Sequence, residues 1–415
     1  MTDSVLPAVD VIRRGGIAVV VDDEDRENEG DLVMAAEAAT VDHLAFFLEH
    51  TSGVICASMP EEYLLRLRLP QMVEHNEDPH RTAFTVSVDL AVGTTTGISS
   101  ADRALTLKAL AHRRTRPQDL VRPGHVFPLR ARPHGVVERP GHTEAATDLA
   151  RLAGVSPVGV ISEVVSPDRR RMANGAELRA LAVRHGLPMI TIADLINHRL
   201  RTENLVERLS SARVPTRYGV FTCHSFRSVV DGQVHIAFTM GDHEGGSPVL
   251  ARVHSECMTG DVFASLRCDC GAQLQESLRT VAEAGAGVVV YLRGQEGRGI
   301  GIAHKLEAYA LQDKGLDTVD ANIALGLPVD AREYGSAAQI LRHLGAGRVR
   351  LITNNPMKSK RLSELGIEVV DRVALPPHTT ADNLTYLETK CRRMGHLLAT
   401  SRENLPHAVD RPVGT

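Results

Sequence analysis

The sequence predicts an α/β protein made of two α/β domains in tandem, each a mixed sheet with flanking helices. Three observations lead there. Short apolar runs of strand length recur in both halves: GIAVVV at 16–21, PVGVISEVV at 157–165 and GVVVYLRG at 287–294. Runs this continuous suit strands buried on both faces. They alternate with helix-length stretches such as AQLQESLRTVAEAG at 272–285, the pattern of sheets covered by helices. Finally, 415 residues exceed what one core usually serves. The break falls near 200–212, where a charged helix running through NHRLRTENLVERL is expected to end by Ser210, before ARVPTRYG. The domains are placed at 1–201 and 202–415, with a polar, mobile tail from about 399.

Composition narrows the class. Apolar content of 43% and charged content of 24% are ordinary for a globular protein. A net charge of −4 gives no electrostatic support for nucleic-acid binding. No apolar run approaches the roughly 18 residues of a membrane span. The opening MTDSVLPAVDVIRRGG lacks the apolar stretch of a secretory signal. Six cysteines, three of them clustered at 257–270, point to metal over a disulfide framework. The expectation is a cytoplasmic enzyme with no nucleic-acid or membrane partner.

Taken in order, the strand at 16–21 leads into DDEDRENEGD at 22–31, where seven of ten residues are acidic. Such a run suits a solvated loop, but the end of a buried strand is where α/β proteins place ligands. Arg26 can hold a phosphate or carboxylate; Glu27 and Asp31 can hold a hard divalent cation or move protons. A helix is expected at 41–50 and a strand at 53–59, with Cys56 in the core. AFTVSVDL at 83–90 alternates Phe84, Val86, Val88 and Leu90, a half-buried strand. In the loop TTTGISSADR at 94–103, Ser100 is expected to cap the next helix. R-P-G-H occurs twice, at 122–125 and 139–142, with different flanks. After the second, Thr143 can cap a helix with His142 just outside it, and Arg139 can reinforce an anion site there. Each histidine can equally be a hydrogen-bonded loop residue. Glu163, inside the apolar run at 157–165, should be paired, metal-bound or raised in pKa.

DEDRENEGD, RPGHVFPLRA, RPGHTEA and the glutamate of GVISEV together resemble 3,4-dihydroxy-2-butanone 4-phosphate synthase over about residues 5–200. The resemblance implies conversion of D-ribulose 5-phosphate to 3,4-dihydroxy-2-butanone 4-phosphate and formate, with Mg2+ or Mn2+ on Glu27 and His142. It implies sugar-phosphate contacts from Arg26, Glu27, Asp31, Arg139, Pro140, Gly141, His142, Thr143 and Glu163, with His125 and Glu163 essential for proton movement. Histidine is an unusual magnesium ligand, so Glu27 is the firmer of the two. SPDRRRMANGAEL at 166–178 departs from the family pattern, with three arginines and with Asn174 where arginine is expected.

In the second half, MITIADLI at 189–196 is a strand running into a helix, and strands are expected at 218–223, 233–240 and 248–254. RVHSECMTGDVFASLRCDCGAQ at 252–273 holds Cys257, Cys268 and Cys270, spaced C-x10-C-x-C. Three thiolates without a fourth cysteine nearby suit an open catalytic zinc site. A structural zinc completed by a histidine such as His254, or plain buried thiols, would give the same spacing. Arg252, His254, Ser255, Glu256 and Gln273 crowd the cysteines with acid, base and cation. Next comes a helix carrying Leu274, Leu278, Val281 and Ala282 on one face, closed by Gly285. QEGRGIG at 295–301, following the strand 287–294, suits a phosphate-bearing ligand. Tyr309 suits core or a purine contact, Asp330 and Arg332 a surface ion pair, and Thr353 ends a strand with Lys358 just beyond.

HSEC, TGD and RCDCG resemble the zinc segment of GTP cyclohydrolase II, and the resemblance runs over about residues 205–398. It implies Zn2+ on Cys257, Cys268 and Cys270. It implies GTP on Arg252, Val253, His254, Ser255, Glu256, Gln273, Glu296, Gly297, Arg298, Thr318, Thr353 and Lys358. Asp330 would accept a proton, Arg332 would attack the α-phosphorus, and Tyr309 would lie near the reacting purine. The reaction opens the guanine imidazole ring and releases formate and pyrophosphate. Together the two resemblances imply a fused homodimeric enzyme that performs both entry reactions of riboflavin synthesis. One rival keeps only the GTP half active and makes the first half a degenerate scaffold, on the strength of the 166–178 departure. Another is a zinc-stabilised nucleotide-binding regulator without chemistry.

Overall fold

The computed structural model describes residues 5–23, 26–242 and 246–398; the expected tail from 399 lies outside them. The chain divides into two compact units at Arg199/Leu200, close to the expected boundary. Each unit is built on a mixed sheet of seven strands, as the sequence predicted.

In the first unit the strands are β1 (Ala18–Val21), β2 (Gly30–Ala35), β3 (Cys56–Met59), β4 (Val88–Leu90), β5 (Leu120–Arg130), β6 (Gly159–Glu163) and β7 (Met189–Thr191). They lie in the order β4-β5-β3-β6-β2-β1-β7. Successive residues face two different cores. Val19, Leu32 and Met34 pack with the helices Val41–His50 and Ser100–Ala111 on one side. Ala18, Val20, Val33 and Ala35 pack with the helices Val5–Arg13 and His142–Ala153 on the other. This two-sided burial is why β1 reads as an unbroken apolar run; each such side chain contributes about 1.5–3 kcal/mol when fully buried. The β1–β2 hairpin holds the acidic loop at its tip. The antiparallel β2–β6 register sets Asp31 directly opposite Glu163, which puts two distant carboxylates at one end of adjacent central strands.

The second unit contains β8 (Val206–Thr216), β9 (Gly219–Ser228), β10 (Val234–Met240), β11 (Val249–Ser255), β12 (Gly287–Leu292), β13 (Arg348–Ile352) and β14 (Glu368–Val373). Their order is β14-β13-β11-β12-β10-β9-β8. β8 to β10 form an antiparallel meander that joins β12, while β12, β11, β13 and β14 run parallel. Ser255 pairs with Leu292, so β11 and β12 end level, while Ala251 pairs with Leu351, so β13 ends a few residues lower at the same end of the sheet. Ligands bind in α/β sheets just beyond such ends.

Several local expectations need correcting. Residues 206–210 are strand, not the end of a charged helix, which stops at Thr202. β8 is an edge strand whose side chains are nearly all exposed, so it lacks the apolar alternation that marks a strand. Ser99, not Ser100, caps the helix Ser100–Ala111 by accepting from the Asp102 N–H. His142 opens its helix and Thr143 lies inside it; Gly141 is the N-cap and no side chain caps that end. In 83–90 the expected alternation fails: Thr85, Ser87 and Asp89 are buried along with Val88, while Phe84, Val86 and Leu90 are only half-buried, and only Val88–Leu90 is strand. The strand expected from 53 begins at Cys56. The two R-P-G-H segments serve different purposes, one inside β5 and one entering a helix.

Candidate active sites

In the first unit Asp22 organises the acidic loop. Its carboxylate accepts from the backbone N–H groups of Glu27 (3.1 Å) and Glu29 (2.9 Å) and from Arg26 Nη1 (2.8 Å). The chain is thereby folded so that Asp22, Glu27 and, across the unit, His142 hold their ligand atoms within 4.8 Å of one another. Asp31 lies buried beside them, its Oδ1 3.8 Å from His142 Nδ1 and without a hydrogen-bond partner. A buried orphan oxygen of this kind points to an additional ligand. His142 pulls the Glu27 carboxyl down to about 2, against the opposing effect of burial and with help from Arg26. Burial pushes Asp31 up to about 7. Burial works against charge on His142 too, yet Asp31, Glu27 and Asp22 hold it up at about 9. Oxygen donors beside one imidazole fit a hard divalent cation.

The remaining predicted residues fall around this group in different ways. Arg26 also reaches Glu27 Oε1 at 3.1 Å. Glu163 is half-buried and accepts from Ser52 Oγ at 2.9 Å, so it is paired as expected, though by a hydroxyl. Arg139 donates to Glu144, to the His80 carbonyl and to Thr82 Oγ1. Pro140 is exposed and Thr143 buried. His125 is gripped by Asp89, which accepts from its backbone N–H at 2.9 Å and lies 2.7 Å from Nδ1. Gly97, at φ +90, lies against that pair; a Cβ there would fall 2.8 Å from His125 Nδ1 and on top of Asp89 Oδ2. Among the described residues no hydrogen bond or ion pair joins His125 to the Glu27–His142 group. Asp22 and Asp89 escaped sequence reasoning. The signal for Asp22 was its place at the end of β1; Asp89 was hidden by its position in an apparently amphipathic strand.

The 166–178 segment that departs from the family pattern serves the fold. Arg169 donates to the carbonyls of Leu48, Glu49 and Thr51 at the end of the helix Val41–His50. Asn174 caps the helix Gly175–His185 in a reciprocal box with Glu177, and Arg171 forms a two-pronged pair with that same Glu177.

In the second unit the loops after β11, β12 and β13 converge on a cavity of about 1040 Å3, counted out to its open mouth. Cys257, Cys268 and Cys270 lie at its wall with sulfurs within 4.8 Å of one another. Gly260 permits this, because a Cβ there would stand 2.8 Å from Cys268 Sγ and 3.3 Å from Cys257 Sγ. Three converging sulfurs fit a zinc ion. His254 points elsewhere: its Nε2 lies 3.1 Å from both Asp261 oxygens and its ring stacks on Tyr291. Lys305 donates to Cys257 Sγ at 3.1 Å, to Thr259 Oγ1 at 2.6 Å and to Glu296.

The same cavity is lined by cations. Arg252 is buried, which brings its pKa down to about 10 and still leaves it charged at neutral pH; it donates to Gln273 Oε1 (2.7 Å) and the Ile352 carbonyl (3.0 Å). Arg298 lines the cavity with both terminal nitrogens buried and unpaired. Lys358 donates to the Val253 carbonyl at 2.7 Å, and burial, then Arg252 and Arg332, push its pKa well down. Arg332 is held by Asp330 through two side-chain bonds and a backbone bond, a pair that is more enclosed than a surface one. The Ala331 N–H donates to the Arg298 carbonyl at 2.9 Å, docking the QEGRG loop on this pair.

His254, Ser255, Glu256, Gln273, Gly297, Thr318 and Thr353 also line the cavity, and so does Tyr309. Val253, Glu296 and Asp330 do not; they hold Lys358, Lys305 and Arg332 in place. Sequence reasoning missed Lys305, and it missed Tyr386, Lys390 and His396, all of which line the same cavity from the chain's last described helix and its exit. His396 is half-buried, and burial, followed by Lys390, Arg332 and Arg298, pushes its imidazole down to about 3.

Known proteins align with this arrangement. Residues 7–198 match the 3,4-dihydroxy-2-butanone 4-phosphate synthase family and residues 207–374 match GTP cyclohydrolase II. The riboflavin biosynthesis protein RibBA of Rhodococcus jostii is 55% identical over 399 residues, covering 95% of this chain and 96% of that one. A chloroplastic bifunctional riboflavin biosynthesis protein of Arabidopsis thaliana is 53% identical over 396 residues, covering 95% and 73%. A crystal structure of RibBX, a two-domain 3,4-dihydroxy-2-butanone 4-phosphate synthase from A. baumannii, superposes with a TM-score of 0.68 at 35% identity, covering 89% of this chain and 99% of that one. Among the described residues no helix is long and apolar enough to cross a membrane. The chain belongs to the RibBA family of bifunctional riboflavin biosynthesis enzymes, a 3,4-dihydroxy-2-butanone 4-phosphate synthase joined to a GTP cyclohydrolase II.

Proposed function

We propose that the first unit, 1–201, holds Mg2+ or Mn2+ on Glu27 and His142 with Asp22 as a third group, and that the second, 202–415, holds Zn2+ on Cys257, Cys268 and Cys270. When bound, the hard cation grips neighbouring oxygens of a keto sugar, and zinc lowers the pKa of water toward neutrality. In the first unit Arg26, Glu27, Asp31, Arg139, Pro140, Gly141, His142, Thr143 and Glu163 bind D-ribulose 5-phosphate. His125 and Glu163 move the protons. Asp89 occupies His125 Nδ1, which leaves Nε2 to exchange a proton with substrate.

In the second unit GTP is bound by Arg252, Val253, His254, Ser255, Glu256, Gln273, Glu296, Gly297, Arg298, Thr318, Thr353 and Lys358. The unpaired guanidinium of Arg298, with Arg332 and Lys358, offers the triphosphate a cluster of cationic partners. Asp330 accepts a proton and Arg332 acts at the α-phosphorus; Asp330 is already within hydrogen-bond reach of that guanidinium. Ring opening at C8 releases formate, and cleavage at the α-phosphorus releases pyrophosphate. The working form is a cytoplasmic homodimer; the dimer is read from the family resemblance, and a monomer mass in sedimentation equilibrium would overturn it.

One observation supports this reading most: three sulfurs converge at the wall of a cavity that Arg298, Arg332 and Lys358 also line. Product analysis after incubation with GTP, with and without a zinc chelator, tests it. Formate and pyrophosphate should appear only without the chelator. The same preparation given ribulose 5-phosphate should make butanone phosphate with added Mg2+ or Mn2+. GTP turnover that survives complete zinc removal would refute the metal assignment.

A further inference from the structure

We propose that Lys390, on the C-terminal helix Leu384–Met394, is a positioning residue for the cysteine turn. The proposal rests on the reading that Cys257, Cys268 and Cys270 hold zinc. The match to GTP cyclohydrolase II ends at residue 374, before this helix begins. Lys390 Nζ lies 2.7 Å from Asp269 Oδ1, and the Asp269 side chain is fully buried. Asp269 is the residue between Cys268 and Cys270, so its orientation fixes the directions in which both sulfurs leave the backbone.

Asp269 also stands at the N-cap of the helix Cys270–Ala284, where an aspartate ordinarily accepts from the backbone of its own helix. Here it makes no cap. One oxygen faces Lys390 and the other accepts from Gln273 Nε2 at 2.6 Å. Gln273 Oε1 accepts in turn from Arg252. The turn is therefore oriented by a tertiary contact in place of a local one, and the chain of bonds runs from Lys390 to a GTP-site arginine.

Lys390 is itself anchored. Leu387 on the same helix is fully buried. Arg393 Nη1 bonds Asp317 (2.6 Å) and Asp320 (2.7 Å) at the start of the helix that carries Thr318. The His396 N–H donates to the Lys390 carbonyl at 3.0 Å, and the Leu397 N–H to the Asn354 carbonyl at 2.9 Å, beside Thr353. Helix Leu384–Met394 thus ties the cysteine turn to two further segments of the same cavity. A charge this enclosed, if left unpaired, forces its surroundings to rearrange.

The test is zinc affinity in the full chain, measured by competition with a chromophoric chelator. Lys390→Met should raise the zinc dissociation constant about 10–100-fold, the usual range for groups that orient metal ligands. Cobalt loaded in place of zinc should show a shifted visible spectrum in Lys390→Met at full occupancy, a change that loss of stability alone does not produce. Asp269→Asn combined with Lys390→Met should be no weaker for zinc than Lys390→Met alone, because the two act as a pair. Butanone phosphate formation by the first unit serves as the folding control. If Lys390→Met does not fold, the double variant, with neither buried charge, carries the test and should bind zinc about tenfold more weakly than wild type. Wild-type affinity in either variant, or losses that add, would overturn the proposal. A wild-type chain that binds no zinc would instead overturn the reading beneath it.

Discussion

The two units gather their candidate metal donors in opposite ways. In the second, three sulfurs come from one loop and the first residue of the following helix, so a short stretch of chain fixes their separation. In the first, Asp22 and Glu27 share a loop while His142 arrives from a helix more than a hundred residues on. The soft-donor site is thus local in sequence and is refined by distant contacts such as Lys390. The hard-donor site exists only once the sheet has set the loop after β1 against that helix. A local site should keep its donors together when distant contacts are lost, with weaker binding, whereas an assembled one should fail with its scaffold.

The sharpest break of that comparison is Cys268→Ser. It should abolish formate release from GTP and leave butanone phosphate formation intact, each measured by product analysis. Loss of both activities would mean that the units are not chemically separate. Next in size is Asp22→Asn, which removes a carboxylate that both folds the acidic loop and lies among the candidate metal donors. First-unit kcat/KM should fall about 10–100-fold, with GTP turnover unchanged. An unaffected first unit would limit Asp22 to folding the loop.

A pH experiment sharpens the contrast from the side of the second unit. Burial and the cations around it hold His396 near 3 when folded, against its ordinary 6.5. The folded state therefore binds fewer protons than the unfolded state below about pH 6.5. The stability associated with a neutral His396 is complete above that pH and is lost progressively as pH falls toward about 3. His396→Asn should flatten this part of the stability–pH curve for the second unit, measured by chemical denaturation with domain-resolved probes. An unchanged curve would place His396 in water. The smallest effect belongs to a cap. Asn174→Ala should destabilise the first unit by about 1 kcal/mol, or a Tm lower by about 2–4 °C, without touching either metal.

Legibility followed the range of the interaction. The helix Val41–His50 and the C-cap at Gly285 came out as expected because period and capping are local signals. β1 and β12 were legible because burial on both faces leaves an unbroken apolar run. β8 was misread as helix because an exposed edge strand carries charges like a solvated helix. The polar face of 83–90 was assigned to solvent, yet Asp89 is buried by its contact with His125, which comes from another strand. The 166–178 segment looked like a departure from function, yet Arg169 and Arg171 proved to be clamps and Asn174 a helix cap.

By itself the sequence determined which donors exist and which of them are close along the chain: the cysteine trio, the acidic run and the alternation of strand and helix. Only the tertiary structure decided their partners, namely Asp22 with His142, Asp89 with His125 and Lys390 with Asp269. The reason is physical. A short covalent tether limits the distance between neighbours whatever the fold, whereas a buried charge from elsewhere in the chain is met only after the core around it has closed.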